Sequence, residues 1–189
     1  MTRRSLFVLL LACTSLAAHA AGFDIDQLMG ELAQFKGGRA RFVETRHVAV
    51  LDAPVVSSGE MRFTPPDRLE KDTLQPRRET LVLEKNTLTV ERDGRSMTWQ
   101  VGSRPEAMAF IESVRSTLAG NRAQLEKYYR LDLQGAARDW TLVLQPVSAE
   151  VQALVTRITV NGSGPEVRRI EYQQADGDRS ELAITPIKP

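Results

Sequence analysis

Ser96-Met97-Thr98-Trp99-Gln100-Val101, followed almost at once by Ser103-Arg104-Pro105-Glu106, is the stretch in which the chain changes its period. In the first segment Met97, Trp99 and Val101 alternate with Ser96, Thr98 and Gln100, the two-residue repeat of a half-buried strand. In the second, Ser103 and Glu106 have the spacing of a capping box, and Pro105 stands at the first helical position, where a missing N–H does no harm. Ala107, Met108, Ile111, Val114 and Leu118 then recur at helical spacing up to Gly120, a residue suited to ending a helix. A helical segment is therefore inserted into a chain that otherwise reads as strands.

Working outward, Asp24 to Phe35 reads as an amphipathic helix, with Ile25, Leu28, Met29, Leu32 and Phe35 on one face, Asp24 as its cap and Gly37-Gly38 as its stop. From there to the insertion the period is two. Ala40 and Phe42, then Gly59, Met61 and Phe63, then Leu81 and Leu83, then Leu88 and Val90 are the alternating positions, with turns at Lys85-Asn86 and Asp93-Gly94. After the insertion the pattern resumes in Leu131 and Leu133, in Trp140, Leu142 and Leu144, in Ile158 and Val160, in Ile170 and Tyr172, and in Leu182 and Ile184, with a short helical turn around Ser148 to Leu154. Pro65-Pro66 and Pro76 fall between strands, where a missing donor matters least. The expectation is a mainly β protein: an incomplete, strongly curled antiparallel barrel of about 10–11 strands, with an N-terminal helix and an inserted helical lid.

Residues 1–20 read as a secretory signal peptide. Arg3-Arg4 forms the basic start, Leu6 to Leu11 opens the apolar run, and Ala18-His19-Ala20 carries small residues at the two positions a signal peptidase reads. Residues 21–189 are then expected to form one domain. An alternative leader reading makes Cys13, after Leu10-Leu11-Ala12, an acylated anchor.

Composition narrows the function. The chain has 25 Lys+Arg and 24 Asp+Glu, a net charge of +1, which gives no electrostatic case for nucleic acid. Loss of Arg3 and Arg4 with the leader leaves 23 basic residues against 24 acidic, a net charge of −1. Cys13 and His19 leave too, so the mature chain keeps no cysteine and only His47. That removes disulfides, zinc thiolate sites and cysteine nucleophiles, and no glycine-rich phosphate loop or Gly-x-Ser-x-Gly turn is present. Neither a catalytic residue, a metal ligand nor a cofactor is expected. Large, soft side chains instead point to the concave face: Phe42, Met61, Phe63, Met97, Trp99 and Met108.

The mature chain resembles the periplasmic outer-membrane lipoprotein carrier family, LolA. Ala40-Arg41-Phe42-Val43-Glu44 is similar to the family's first strand, Gly59-Glu60-Met61-Arg62-Phe63 followed by Pro66 to its second strand and turn, Gln75-Pro76 with Leu81-Val82 and Thr87-Leu88 to its Gln-Pro stretch and two further strands, and Trp140-Thr141-Leu142-Val143-Leu144-Gln145-Pro146 to a strand ending in proline. The likeness covers most of residues 24–185. It implies a lidded, half-open barrel that shelters the acyl chains of a lipoprotein or related lipid in the periplasm, receiving cargo from an inner-membrane transporter and passing it to an outer-membrane acceptor, as a monomer. On this reading Phe42, Met61, Phe63, Leu81, Leu83, Met97, Trp99, Leu142 and Leu144 line the cavity, and Met108 and Ile111 come from the lid. One departure stands out. Pro65 occupies the place of the family's lid-holding arginine, Lys71 stands near the place of an aromatic, and Arg68 is out of register, so that arginine's role is carried to no residue here.

Two other readings stay open: an outer-membrane-anchored receptor acylated on Cys13, and a hydrolase using carboxylates among Asp67, Glu70 and Asp72. Mass spectrometry of the native N-terminus separates free from anchored protein. The expected result is unmodified Ala21; a diacylated Cys13 establishes the anchored form.

Overall fold

The computed structural model describes residues 22–103 and 105–188. The expected leader with Cys13, and Arg104 in the expected capping box, lie outside the described residues. Helix α1 (Ile25–Ala33) leads into strands β1 (Gly38–His47), β2 (Val55–Thr64), β3 (Arg68–Gln75), β4 (Glu79–Glu84), β5 (Thr87–Arg92) and β6 (Arg95–Gln100). A helical turn at Val101–Ser103 then opens the insertion, α2 (Pro105–Leu118) and α3 (Arg122–Leu125). Strands β7 (Tyr129–Ala136) and β8 (Asp139–Pro146), the short helix α4 (Ala149–Gln152), and strands β9 (Val155–Ser163), β10 (Glu166–Gln174) and β11 (Arg179–Ile187) complete the chain.

All eleven strands form one antiparallel sheet in the order β6-β5-β4-β3-β2-β1-β11-β10-β9-β8-β7, which is not closed into a barrel. The first and last strands meet at its centre, from Arg39 opposite Ile187 to His47 opposite Arg179. The free edges are β6 and β7, and the helical insertion joins them in sequence. The expected curled, unclosed β architecture with an inserted helix is thus the observed one.

Strand β3 is the element that the periodicity does not announce. Arg68-Leu69-Glu70-Lys71-Asp72-Thr73 has a single apolar residue, so it carries no alternating hydrophobic signal. It forms because β2 and β4 flank it and complete its hydrogen bonds on both sides.

Helix α1 starts at a reciprocal cap: the Asp24 side chain accepts from the Gln27 N–H at 2.9 Å, and the Gln27 side chain accepts from the Asp24 N–H at 3.1 Å. Its buried face, Leu28, Met29 and Leu32, belongs to the main core together with Trp140, Leu142, Leu144, Ile158 and Val160. The Tyr129 hydroxyl donates to the Ala109 carbonyl at 3.0 Å and ties α2 to the β7 edge. Gly120 ends α2 at φ +62, and its α-carbon faces α1 so closely that a side chain there would meet the Met29 carbonyl oxygen at 2.2 Å. Gly162 is held differently. A methyl group at this position would come within 2.2 Å of the Trp140 ring and 2.4 Å of the Glu166 carbonyl oxygen.

Trp140 is wholly buried, with its indole N–H donating to the Gly164 carbonyl at 2.9 Å. Gly162→Ala overpacks this contact and is expected to cost about 1–3 kcal/mol. Leu142→Ala, which opens a void in the same core, is expected to cost about 2–5 kcal/mol. Urea unfolding checks both, the expected sign being a lower midpoint at unchanged slope.

Candidate functional site

A cavity of about 1020 Å³ lies beneath α2 on the concave face of the sheet. Strand register explains its floor. Phe63 faces Leu69, Leu69 faces Leu83, and Leu83 faces Leu88, so one apolar row crosses β2 to β5. The neighbouring row runs Ala40, Met61, Lys71, Leu81, with the lysine as its polar interruption. Ile170 and Tyr172 of β10 and Leu182 and Ile184 of β11 form the opposite wall. Phe110, Ile111, Val114 and Leu118 of α2 form the roof, and Phe35 stacks parallel to Phe63, centroids 6.4 Å apart, just after α1. Phe110 also packs on Tyr172 at 4.8 Å between ring centres.

Of the residues expected to line a cavity, Met61, Phe63, Leu81, Leu83 and Ile111 are brought together in its wall. The others stand elsewhere, each for a physical reason. Leu142 and Leu144 are fully buried in solid core, because α1 covers that end of the sheet. Phe42 points to the concave face but is buried, with the Lys71 ammonium 4.8 Å from its ring centre. Met108 is buried against Leu83 and Val101 in a smaller cluster. Met97 and Trp99 continue the apolar rows onto β6, opposite Val90 and Leu88, but β6 is a free edge, and they are 51% and 45% exposed.

Leu69, Leu88, Phe110, Tyr172, Leu182 and Ile184 line the cavity without having been singled out. The inward phase of the alternating strands marks Leu88, Tyr172, Leu182 and Ile184. Phe110 has no such mark, since it sits at the edge of the helical stripe and is 47% exposed.

The cavity's polar end is an ion cluster. Glu44 on β1 accepts from the Lys71 ammonium at 2.5 Å and from the Ser180 hydroxyl at 2.8 Å, with an Arg46 guanidinium nitrogen 3.7 Å away. Burial by itself would push the Glu44 carboxyl up. The hydrogen bond and charge of Lys71, the Ser180 hydroxyl and Arg46 outweigh it and hold the group below the ordinary carboxylate value. Tyr172 moves the other way: burial pushes its phenol well above the usual range. In the roof, buried Glu112 pairs with Arg115 and the Ser116 hydroxyl, and Arg115 donates to the Lys85 carbonyl at 2.6 Å, fastening α2 to the β4–β5 turn.

The carboxylates considered for hydrolysis do not converge on the cavity. Glu70 and Asp72 alternate with Lys71 and project to the other face of β3, where Glu70 pairs with Arg68 at 2.5 Å and Arg62 at 3.8 Å. His47, at the end of β1, is half-buried and outside the cavity lining. Among the described residues no group of three or more His, Asp or Glu side chains is placed to hold a metal ion.

An unclosed antiparallel sheet with a helix laid over an apolar hollow defines a class of half-open, helix-covered β containers. The chain belongs to one family of that class: the model for outer membrane lipoprotein carrier protein LolA-like proteins matches residues 17–185. No curated protein matches the sequence. Similar solved structures include a LolA superfamily protein from Nitrosomonas europaea (10% identity, TM-score 0.46, covering 89% of this chain and 95% of that one). Others are a DUF1329 family protein from Desulfovibrio piger (10%, 0.44, 86% and 89%) and lipoprotein LppX of Mycobacterium tuberculosis (8%, 0.45, 87% and 94%).

Because the folded-state value of Glu44 is depressed, its contribution to stability is present above its unfolded value of 4.5 and is lost as pH falls through the lower folded value. Lys71→Met removes the largest compensation for burial, so the acid-dependent loss is expected to shrink in that variant. Urea unfolding at pH 7, 5 and 3.5 measures the difference.

Proposed function

We propose that this protein is a periplasmic carrier that sequesters the acyl chains of a lipoprotein or related lipid and moves it between the inner and outer membranes. One observation carries the reading: the apolar hollow of about 1020 Å³ under α2, in a chain of the LolA-like family. Its volume lies at the upper end of ordinary ligand sites. Each methylene withdrawn from water contributes about 0.8 kcal/mol, so a tail of about 14 methylenes gains on the order of 11 kcal/mol. An acyl chain that cannot cross water alone is thereby made transportable.

On this reading the protein is not an enzyme. Met61, Phe63, Leu81, Leu83 and Ile111 supply apolar surface, and the roof helix must part from the sheet for cargo to pass. Arg115 on the Lys85 carbonyl is a polar fastening that such opening would break. An inner-membrane transporter as donor and an outer-membrane acceptor complete the scheme.

Purified mature protein is expected to bind a fluorescent fatty-acid probe saturably at one site. Leu81→Glu, which places a charge in the floor, is expected to weaken binding at least tenfold, whereas Val50→Ser, on an exposed loop, leaves it unchanged. Absence of saturable binding by the unaltered protein overturns the proposal.

A further inference from the structure

A second hollow, of about 340 Å³, adjoins the apolar cavity and shares with it Glu44, Arg46, Lys71 and Glu79. It also takes in Ser57, Thr73, Arg77 and Arg92. Across these shared side chains apolar wall gives way to charge within a single strand position: Lys71 is flanked in register by Met61 on one side and Leu81 on the other.

The charge there does not balance. Four cations, Arg46, Lys71, Arg77 and Arg92, face two carboxylates. Lys71 is matched by Glu44 at 2.5 Å, and Arg92 pairs with Glu79. Arg46 lies 3.7 Å from the same Glu44, whose charge Lys71 already holds, and among the described residues Arg77 enters no ion pair. The annex therefore holds two more cations than carboxylates beside the apolar hollow: Arg46 has only a share of Glu44, and Arg77 has no ion-pair partner among the described residues. Each offers a planar fork of N–H donors that matches a phosphate or carboxylate. The hydroxyl-bearing Ser57 and Thr73 line the same space.

We propose that this annex is a headgroup site, and that the cargo is an amphiphile whose tail fills the apolar cavity while an anionic headgroup, phosphate or carboxylate, is held by Arg46 and Arg77. The inference rests on the acyl-carrier reading and adds the sign of the headgroup to it. A neutral headgroup leaves both guanidiniums uncompensated, and a cationic one meets like charge.

The test uses three ligands with the same acyl tail and different heads: a lysophosphatidic acid, the free fatty acid and a monoacylglycerol. Each displaces a fluorescent acyl probe from the mature protein at low salt. Both anionic ligands are expected to bind about tenfold tighter than the monoacylglycerol. In the Arg46→Gln/Arg77→Gln double variant that advantage is expected to vanish, and an unchanged far-ultraviolet circular dichroism spectrum shows that the variant is folded. Arg77→Glu is expected to reverse the preference. Equal affinities in the unaltered protein, or an advantage that survives the double variant, overturn the headgroup site and leave the carrier reading standing. Failure of all three ligands to displace the probe overturns both. Inorganic phosphate is also titrated in the absence of any acyl ligand: phosphate binding as tight as that of the lysophosphatidic acid assigns the site to the free anion and overturns its assignment to a headgroup, whereas weaker binding supports the headgroup.

Discussion

The two free edges of the sheet, β6 and β7, are consecutive strands, and the chain must travel from one to the other. Eleven twisted strands curl, and the shortest covered route between the edges lies across the concave side. That single constraint puts α2 over the mouth. A helix laid there has to bury an apolar stripe, and the facing rows of Phe63, Leu69, Leu83 and Leu88 provide the surface. Tyr129 at the β7 side and Arg115 at the β4–β5 turn fasten the helix at its two flanks. Cover, cavity and fastening all follow from where the chain has to cross.

The sheet's two halves then divide the work. Under α1, the strands β7 to β9 are packed solid, with Trp140, Leu142, Leu144 and Ile158 fully buried. Under α2, the strands β1 to β5 face a space their own side chains do not fill. One half is packed solid and the other stays open. The charged cluster around Glu44 sits where the open half meets solvent, and it is held by partners on β1, β3 and β11. Carboxylate and ammonium are paired there despite burial, because removing either would leave the other uncompensated.

Most of this architecture was legible in the residues. Period-two alternation located the strands with apolar inward faces, and the Pro105 region marked the inserted helix. Strand β3 was illegible because its inward positions are Leu69, Lys71 and Thr73, so its strand character comes from its neighbours' hydrogen bonds. The cavity wall was legible only by face. Alternation tells inward from outward, which picked out Met61, Phe63, Leu81 and Leu83, but Leu142 and Leu144 have the same signature in solid core. Met97 and Trp99 have it too on an uncovered edge. Whether an inward residue meets a helix, a void or solvent is decided by elements distant in sequence. The charged annex was hidden for a related reason: Glu44, Arg46 and Lys71 look like ordinary solvated charges until β1 and β3 are seen two strands apart.

The pairing of β1 with β11 sets a condition on how the molecule is made. Arg39 and Ile187, near opposite ends of the chain, are neighbours in the centre of the sheet. A polypeptide that emerges N-terminus first can pair β1 to β6 as successive local hairpins, but β1 keeps one edge unsatisfied until the last strand arrives. The slow event in assembly is then closure of the longest loop the chain contains, the situation in which contact order retards folding. Until that moment the nascent sheet presents a bare β1 edge and an uncovered apolar face, so the newborn protein has the same need for shelter that it is proposed to meet for others.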